Sequence, residues 1–285
     1  MGMKASNAIA TFFKYFVLIL VGLIMIYPLL WMISATFKDN SEIFAGIGLW
    51  IKNPTLEGYK NALNNFGGSI NILQAMLNTY SYVIPKVICT VVSACIAAYG
   101  FGRFDFPGRK LLFNIMLATL FLPQVVLNVP QFLLYTKFGW VNSPFYLAIW
   151  VHCAFATETY FVYQLVQFMR NVPRDLDEAA AIDGCNSFQT LYKVIVPMLM
   201  PALVSCALFQ FMWSCNDFMG PLLYVQTPAK YPMSLFVKLS MDGDTGFAWN
   251  RILALSLISI LPQLIVFFCA QDQFVEGISA GAVKG

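Results

Sequence analysis

Long apolar stretches alternate with shorter polar ones along the whole chain, and no segment carries the two-residue alternation of a half-buried strand. Six of the apolar stretches, residues 15–37, 76–101, 111–135, 144–167, 197–217 and 252–271, reach membrane-spanning length. A helix rises about 1.5 Å per residue, so about 20 mainly apolar residues cross the hydrocarbon layer. Lipid offers no partner to backbone N–H and C=O groups, so each stretch must satisfy them internally, as a helix does. The pattern predicts an all-α integral membrane protein with six transmembrane helices, organised as a single domain over 1–285.

Composition agrees, with 59% hydrophobic and 11% charged residues. The first apolar run is too long for a secretory signal and lacks a small-residue cleavage site, which predicts that it stays as a helix. Seven cysteines include no CxxC pair and read as packing thiols. A lone His152 cannot assemble a histidine metal site, and HExxH and GxSxG are absent, so metal and serine enzymology are not expected. The net charge of +3 gives no argument for a nucleic-acid partner. Arg103, Arg109 and Lys110 in the short loop 102–110, against Lys137 alone in 136–143, place the former in the cytoplasm and both termini with it.

The polar interval at 168–196 then falls on the cytoplasmic side. Pro173 precedes a first turn rich in acids (Asp175, Asp177, Glu178), which favours a helix N-terminus. Ala179, Ala180 and Ala181 give helix propensity and a low profile, Asp183 follows, and Gly184 is placed to end the helix in the left-handed conformation. Asn186 or Ser187 can cap a second helix whose Phe188, Leu191, Tyr192 and Ile195 share one apolar face, and Pro197 enters the fifth span. The hairpin suits a docking partner; an amphipathic loop packed on its own bundle is the other reading.

EAAAIDG at 178–184, with Pro197 thirteen residues beyond Gly184, resembles the EAA loop of permease subunits of bacterial ATP-binding cassette (ABC) importers. Asn53-Pro54-Thr55-Leu56, Ala97-Ala98-Tyr99 with Arg103-Phe104, Phe106-Pro107-Gly108-Arg109, Trp213 with Asn216-Asp217, and the tail Gly281-Ala282-Val283-Lys284-Gly285 extend the likeness over nearly the whole chain. The pattern is similar to the smaller maltose-type permease of the carbohydrate branch, with a type I fold of six spans. That resemblance implies a second homologous permease, two ATPase domains and an extracytoplasmic sugar-binding protein as partners, in a bacterial inner membrane. ATP and Mg would be bound by the ATPase subunits, since GxxxxGK[ST] is absent here. It also implies that Glu178, Ala179, Ala180, Ala181, Asp183, Gly184, Phe188, Leu191, Ile195 and Pro197 form a coupling helix and its support. The tail from Glu276 either approaches the same ATPases or is a frayed terminus.

Polar residues within the spans are candidates for a translocation path, because an ionised group facing lipid costs a few kcal/mol. Glu158, with Tyr160 beside it, faces the bundle or a wet passage, or is a paired structural glutamate. Lys86, just after Pro85, either snorkels to the surface or meets an acidic sugar. Gln124 and Asn128 accompany Pro123 and Pro130 in a third span expected to kink, and Asn216 and Asp217 close the fifth. Trp213 stacks on a sugar or packs. Outside, Leu56, Tyr59 and Leu63 are expected to line one face of a short helix, and loop 219–251 is a second surface for a binding protein, or a solvated connection. Gly100 and Gly102 are expected to help end the second span. The competing class is an ion-gradient-driven carrier or channel using Glu158, which would have no use for a docking elbow.

Overall fold

A computed structural model describes residues 2–64, 70–241 and 248–282, with side chains for 11–64, 70–241 and 248–273. The described residues are helical, without a strand: α1 Gly2–Ala35, α2 Asn40–Ile43, α3 Glu57–Leu63, α4 Ile72–Arg103, α5 Arg109–Ala118, α6 Gln124–Lys137, α7 Leu147–Trp150, α8 Thr159–Met169, α9 Asp175–Ile182, α10 Ser187–Thr190, α11 Val196–Met198, α12 Met200–Cys215, α13 Met219–Tyr224, α14 Met233–Leu239 and α15 Trp249–Ala282. Asp242-Gly243-Asp244 and most of the Asn64–Gly68 stretch lie outside the described residues, as do the side chains of the tail.

Three predicted spans are single helices: Thr11–Ala35, Ile72–Arg103 and Trp249–Gln273 are long and apolar enough to cross a membrane. The other three depart from the straight helices that the pattern predicts. The third is bent by 102° between Arg109–Phe121 and Gln124–Lys137. Leu122 there is extended, the conformation favoured before a proline, and Pro123 precedes α6. The fifth bends by 79° between Ser187–Met198 and Met200–Cys215, where Pro197 and Pro201 remove two helical N–H donors. The fourth is in pieces: α7, a 3₁₀ segment Val151–Phe155, a left-handed Ala156 (φ 54°), then α8. Side-chain hydroxyls occupy the carbonyls at its break. The Thr157 hydroxyl donates to the carbonyl of His152 (3.0 Å) and the Ser93 hydroxyl to that of Cys153 (2.6 Å), the two acceptors that a continuous helix would bond from 156 and 157.

The contacts group the chain into two units, residues 1–72 with 237–260, and 73–236 with 261–285. In the first, α3 meets the start of α15 so closely that a Cβ on Gly58 would lie 2.7 Å from the carbonyl oxygen of Asn250. The packed face of α3 is Gly58 and Ala62, while Leu56 and Leu63, two of the three residues expected on an outer face, are exposed. Tyr59, the third, turns inward, its hydroxyl 2.9 Å from that of Thr36. Lys38 is buried and donates to the Gly48 carbonyl. The backbone N–H and hydroxyl of Ser41 hold the Asp39 carboxyl below its ordinary range, and the backbone N–H of Lys52 does the same for Glu42.

In the second unit, one core joins α4, α8 and α12 through Ala94, Ala98, Phe161, Leu165, Ile195, Leu199 and Cys206. α4 ends at Arg103, one residue beyond Gly102, where an added Cβ would come within 2.8 Å of Met169 Sδ at the end of α8. A second, aromatic core gathers Tyr82, Tyr135, Tyr146 and Tyr224. Part of the loop 219–251 is tied to the bundle: Asn78 Nδ2 donates to the carbonyls of Ala229 (3.0 Å) and Tyr231 (3.1 Å). Cys95, Cys153, Cys206 and Cys215 are buried as free thiols.

Candidate functional site

Two features of the second unit carry the chemistry, a hairpin and a cavity. In the hairpin, α9 runs to Ile182 and Gly184 adopts φ 79°. The N–H of Cys185 bonds to the carbonyl of Ala180 (2.9 Å) and that of Gly184 to Ala181 (3.0 Å), the paired bonds of a Schellman turn. Asn186 then caps α10 in a reciprocal box with Gln189, both bonds at 2.9 Å.

Beyond α10 lies a π-turn at Leu191–Ile195, in which the N–H of Val196 reaches back to the carbonyl of Leu191. Pro197 lies just past it, where it can give no N–H to the carbonyl of Lys193. The single apolar face that the spacing predicts is divided. Leu191 and Ile195 are buried in the core, whereas Phe188 and Tyr192 are exposed. Ile182 is 87% exposed, the side chain on this elbow that sequence reasoning does not single out. Its position at the last turn of α9, between an alanine run and a glycine stop, is the signal that could have found it. Glu178, Ala179, Ala181, Asp183 and Pro197 are exposed, and Ala180 is buried.

The elbow is bonded to the end of α4. Tyr99 Oη donates to the carbonyl of Ser187 (3.1 Å), and Arg103 Nη2 to that of Val172 (3.0 Å). Arg103 Nε lies 3.2 Å from Asp177 Oδ2, a close ion contact whose angle falls short of a hydrogen bond. The arginine side chain is 6% exposed, so the pair is shielded from solvent.

A cavity of 640 Å³ brings together Lys86, Gln124, Asn128, Glu158, Tyr160 and Asp217, segments that are up to 131 residues apart in sequence (217 − 86). The interruption between α7 and α8 opens its wall at Glu158. The Thr119 and Thr159 hydroxyls, 3.0 Å apart, join the end of the α5 segment to α8 at its edge. Gln124 donates to Gln131 at 3.2 Å. Asp217 accepts from the Gly220 N–H (2.9 Å), so one carboxyl both starts α13 and faces the cavity.

Trp213 and Asn216 do not line this cavity. Trp213 packs among Tyr160, Phe161 and Phe209 with ring centroids 5.2 to 5.9 Å away. Asn216 bonds to the Met212 carbonyl and to Gln263. Gln131, which shares the third span with Gln124 and Asn128, also lines the cavity, as do His152, Tyr135 and Tyr224, which polarity within the spans does not nominate. The ligand atoms of His152, Cys153 and Glu158 lie within 4.8 Å of one another, a donor set that no sequence motif grouped; the Lys86 ammonium on the same wall opposes a cation there.

Several known proteins share this architecture. A family model described as "Binding-protein-dependent transport system inner membrane component" matches residues 90–276. The chain is 31% identical over 271 residues to a probable ABC transporter permease of Pyrococcus horikoshii, covering 93% of this chain and 94% of that protein. It is equally 31% identical over 267 residues to a trehalose/maltose transport system permease of Thermococcus litoralis, covering 94% of each. It is 27% identical over 286 residues to a galactooligosaccharides transport system permease of Bacillus subtilis, covering 99% of each. A solved bacterial ABC transporter involved in import of the acidic polysaccharide alginate superposes with TM-score 0.78 at 20% identity, covering 94% of this chain and 98% of that one.

Proposed function

We propose, from the premise that this chain belongs to the binding-protein-dependent transport system inner membrane components, that it is the permease subunit of an ATP-driven importer of sugars or oligosaccharides. It is a multi-pass membrane protein with the fold of an ABC importer permease. Relatives named for trehalose/maltose, galactooligosaccharide and diacetylchitobiose transport support the carbohydrate assignment. In this reading the chain forms half of the translocation path beside a second, homologous permease. Two ATPase domains bind ATP and Mg²⁺, an extracytoplasmic binding protein delivers the sugar, and both termini are cytoplasmic. An ion-gradient carrier built on Glu158, the competing sequence reading, finds no support in the family.

The observation that carries the proposal is the elbow. Ile182, Phe188 and Tyr192 stand exposed around a Schellman turn in a polar segment between apolar ones, an arrangement suited to a protein partner and costly in water. Tyr99 and Arg103 bond that elbow to the same α4 whose Lys86 lines the cavity. A push on α9 therefore acts on one helix that touches both the ATPase surface and the path. Pro85, one residue before Lys86, gives α4 a point at which to flex. The chain supplies no hydrolytic chemistry in this scheme; it transmits motion.

Reconstitution tests the proposal. Vesicles carrying this chain with its companion permease, ATPase and binding protein are expected to take up sugar only when ATP is enclosed with the ATPase. Uptake by the chain alone, driven by an ion gradient, would overturn it.

A further inference from the structure

A second cavity of 640 Å³ opens where α4 ends and α5 begins, away from the residues assigned to coupling and transport. Phe101, Phe106 and Phe113 give it an aromatic floor, with centroids 6.0 and 5.5 Å from that of Phe101. Arg109, Lys110 and Arg170 line it together with the single acid Asp105. Asp105 is already engaged, paired with Arg109 and 4.0 Å from Arg174. The lining therefore keeps an excess of positive charge.

Helix electrostatics sharpen that excess. α5 begins at Arg109 after Gly108 (φ 81°) with no side-chain cap and no acid in its first turn, so two cations sit at the positive end of the helix dipole. An anion placed there relieves both the helix terminus and the basic cluster. The position selects which anion: the spanning helix α4 ends at Arg103, and exposed Leu111, Leu112 and Ile115 continue along α5 beside the cavity. A ligand with a charged head and an apolar tail matches this layout. We propose that the cavity binds the headgroup of an anionic phospholipid, its phosphate held by Lys110, Arg170 and the start of α5 and its acyl chains lying along the apolar face of α5. The inference needs only the membrane embedding of the chain, not its sugar-transport assignment.

Native mass spectrometry of the full chain tests this after exchange into phosphatidylcholine alone or into an equal mixture with phosphatidylglycerol. Wild type is expected to retain phosphatidylglycerol preferentially, K110Q/R170Q to lose that preference by about tenfold, and K110R/R170K to keep it. Equal retention of the two lipids by wild type overturns the proposal whether or not the variants fold. Unchanged preference in K110Q/R170Q also overturns it, and displacement of the lipid by inorganic phosphate at constant ionic strength reassigns the site to a soluble anion. ATP-driven sugar uptake, measured separately, can fail without affecting these outcomes.

Discussion

The elbow at 175–198 and the cavity beside Lys86 lie in the same unit and are made in opposite ways. Most of the elbow's defining bonds are short in sequence: Cys185 to Ala180, Gly184 to Ala181, Asn186 with Gln189, Val196 to Leu191. Its longer polar ties run to a single helix end, from Ser187 to Tyr99 and from Asp177 to Arg103. The cavity draws on α4, α6, α8 and α13 and on the broken backbone before α8, and many of its polar groups are part-buried rather than bonded into one network. A rigid part assembled locally suits force transmission, and a wall assembled from several helices changes shape when any of them tilts. Under the proposed function, the difference suits the elbow to input and the cavity to response.

Four experiments probe that division, taken in order of expected effect. Gly184→Val puts a β-branched side chain at φ 79°, a cost of about 3 kcal/mol at the upper end for strained backbone. ATP-driven uptake in reconstituted vesicles should fall about a hundredfold on that scale, with membrane insertion unchanged. Normal uptake by this variant would remove the elbow from the coupling route.

Arg103→Gln leaves Asp177 without its shielded partner and removes the bond to Val172, and about 2 kcal/mol is expected to be lost. Hydrogen exchange should then accelerate about thirtyfold across α9 and α10 while the cavity-lining part of α8 keeps its protection. Uniform acceleration in both would merge the two regions into one unit of stability.

Ile182→Asp changes an 87% exposed side chain that has nothing of its own chain to lose. It is expected to weaken retention of the ATPase about tenfold in pull-down titrations, as for a contact residue of moderate weight. Unaltered retention would point the docking surface elsewhere.

The smallest effect is expected at Lys86, which shares its cavity with the acids Glu158 and Asp217. Lys86→Met should shift the uptake ratio of uronate-bearing to neutral oligosaccharides about threefold, the order of a partly screened charge at this depth. An unchanged ratio would mark Lys86 as a structural cation and leave selectivity to the companion subunit.

The elbow was legible because capping chemistry is local: acids, alanines, glycine and asparagine in that order state where a helix starts, stops and starts again. The same reasoning misjudged the second helix of the hairpin, where Leu191 and Ile195 turn inward and Phe188 and Tyr192 stay outside. For the cavity, polarity within an apolar span nominated Lys86, Gln124, Asn128, Glu158, Tyr160 and Asp217, because a buried polar group needs a reason to be there. That rule could not separate them from Trp213 and Asn216, which find partners in α8 and α15 instead.

By itself the sequence determined the helical membrane class and the turn chemistry of the elbow, both of which rest on apolar length and on interactions reaching a few residues. Only the tertiary structure decided that the predicted fourth span breaks before Glu158. That break depends on Ser93, sixty positions from Cys153, taking a carbonyl that the helix would have used. The third span likewise turns by 102° at Pro123, an angle that a proline permits but does not specify. Competition for backbone acceptors and the direction of a kink are settled by neighbours in space, and a one-dimensional pattern does not contain them.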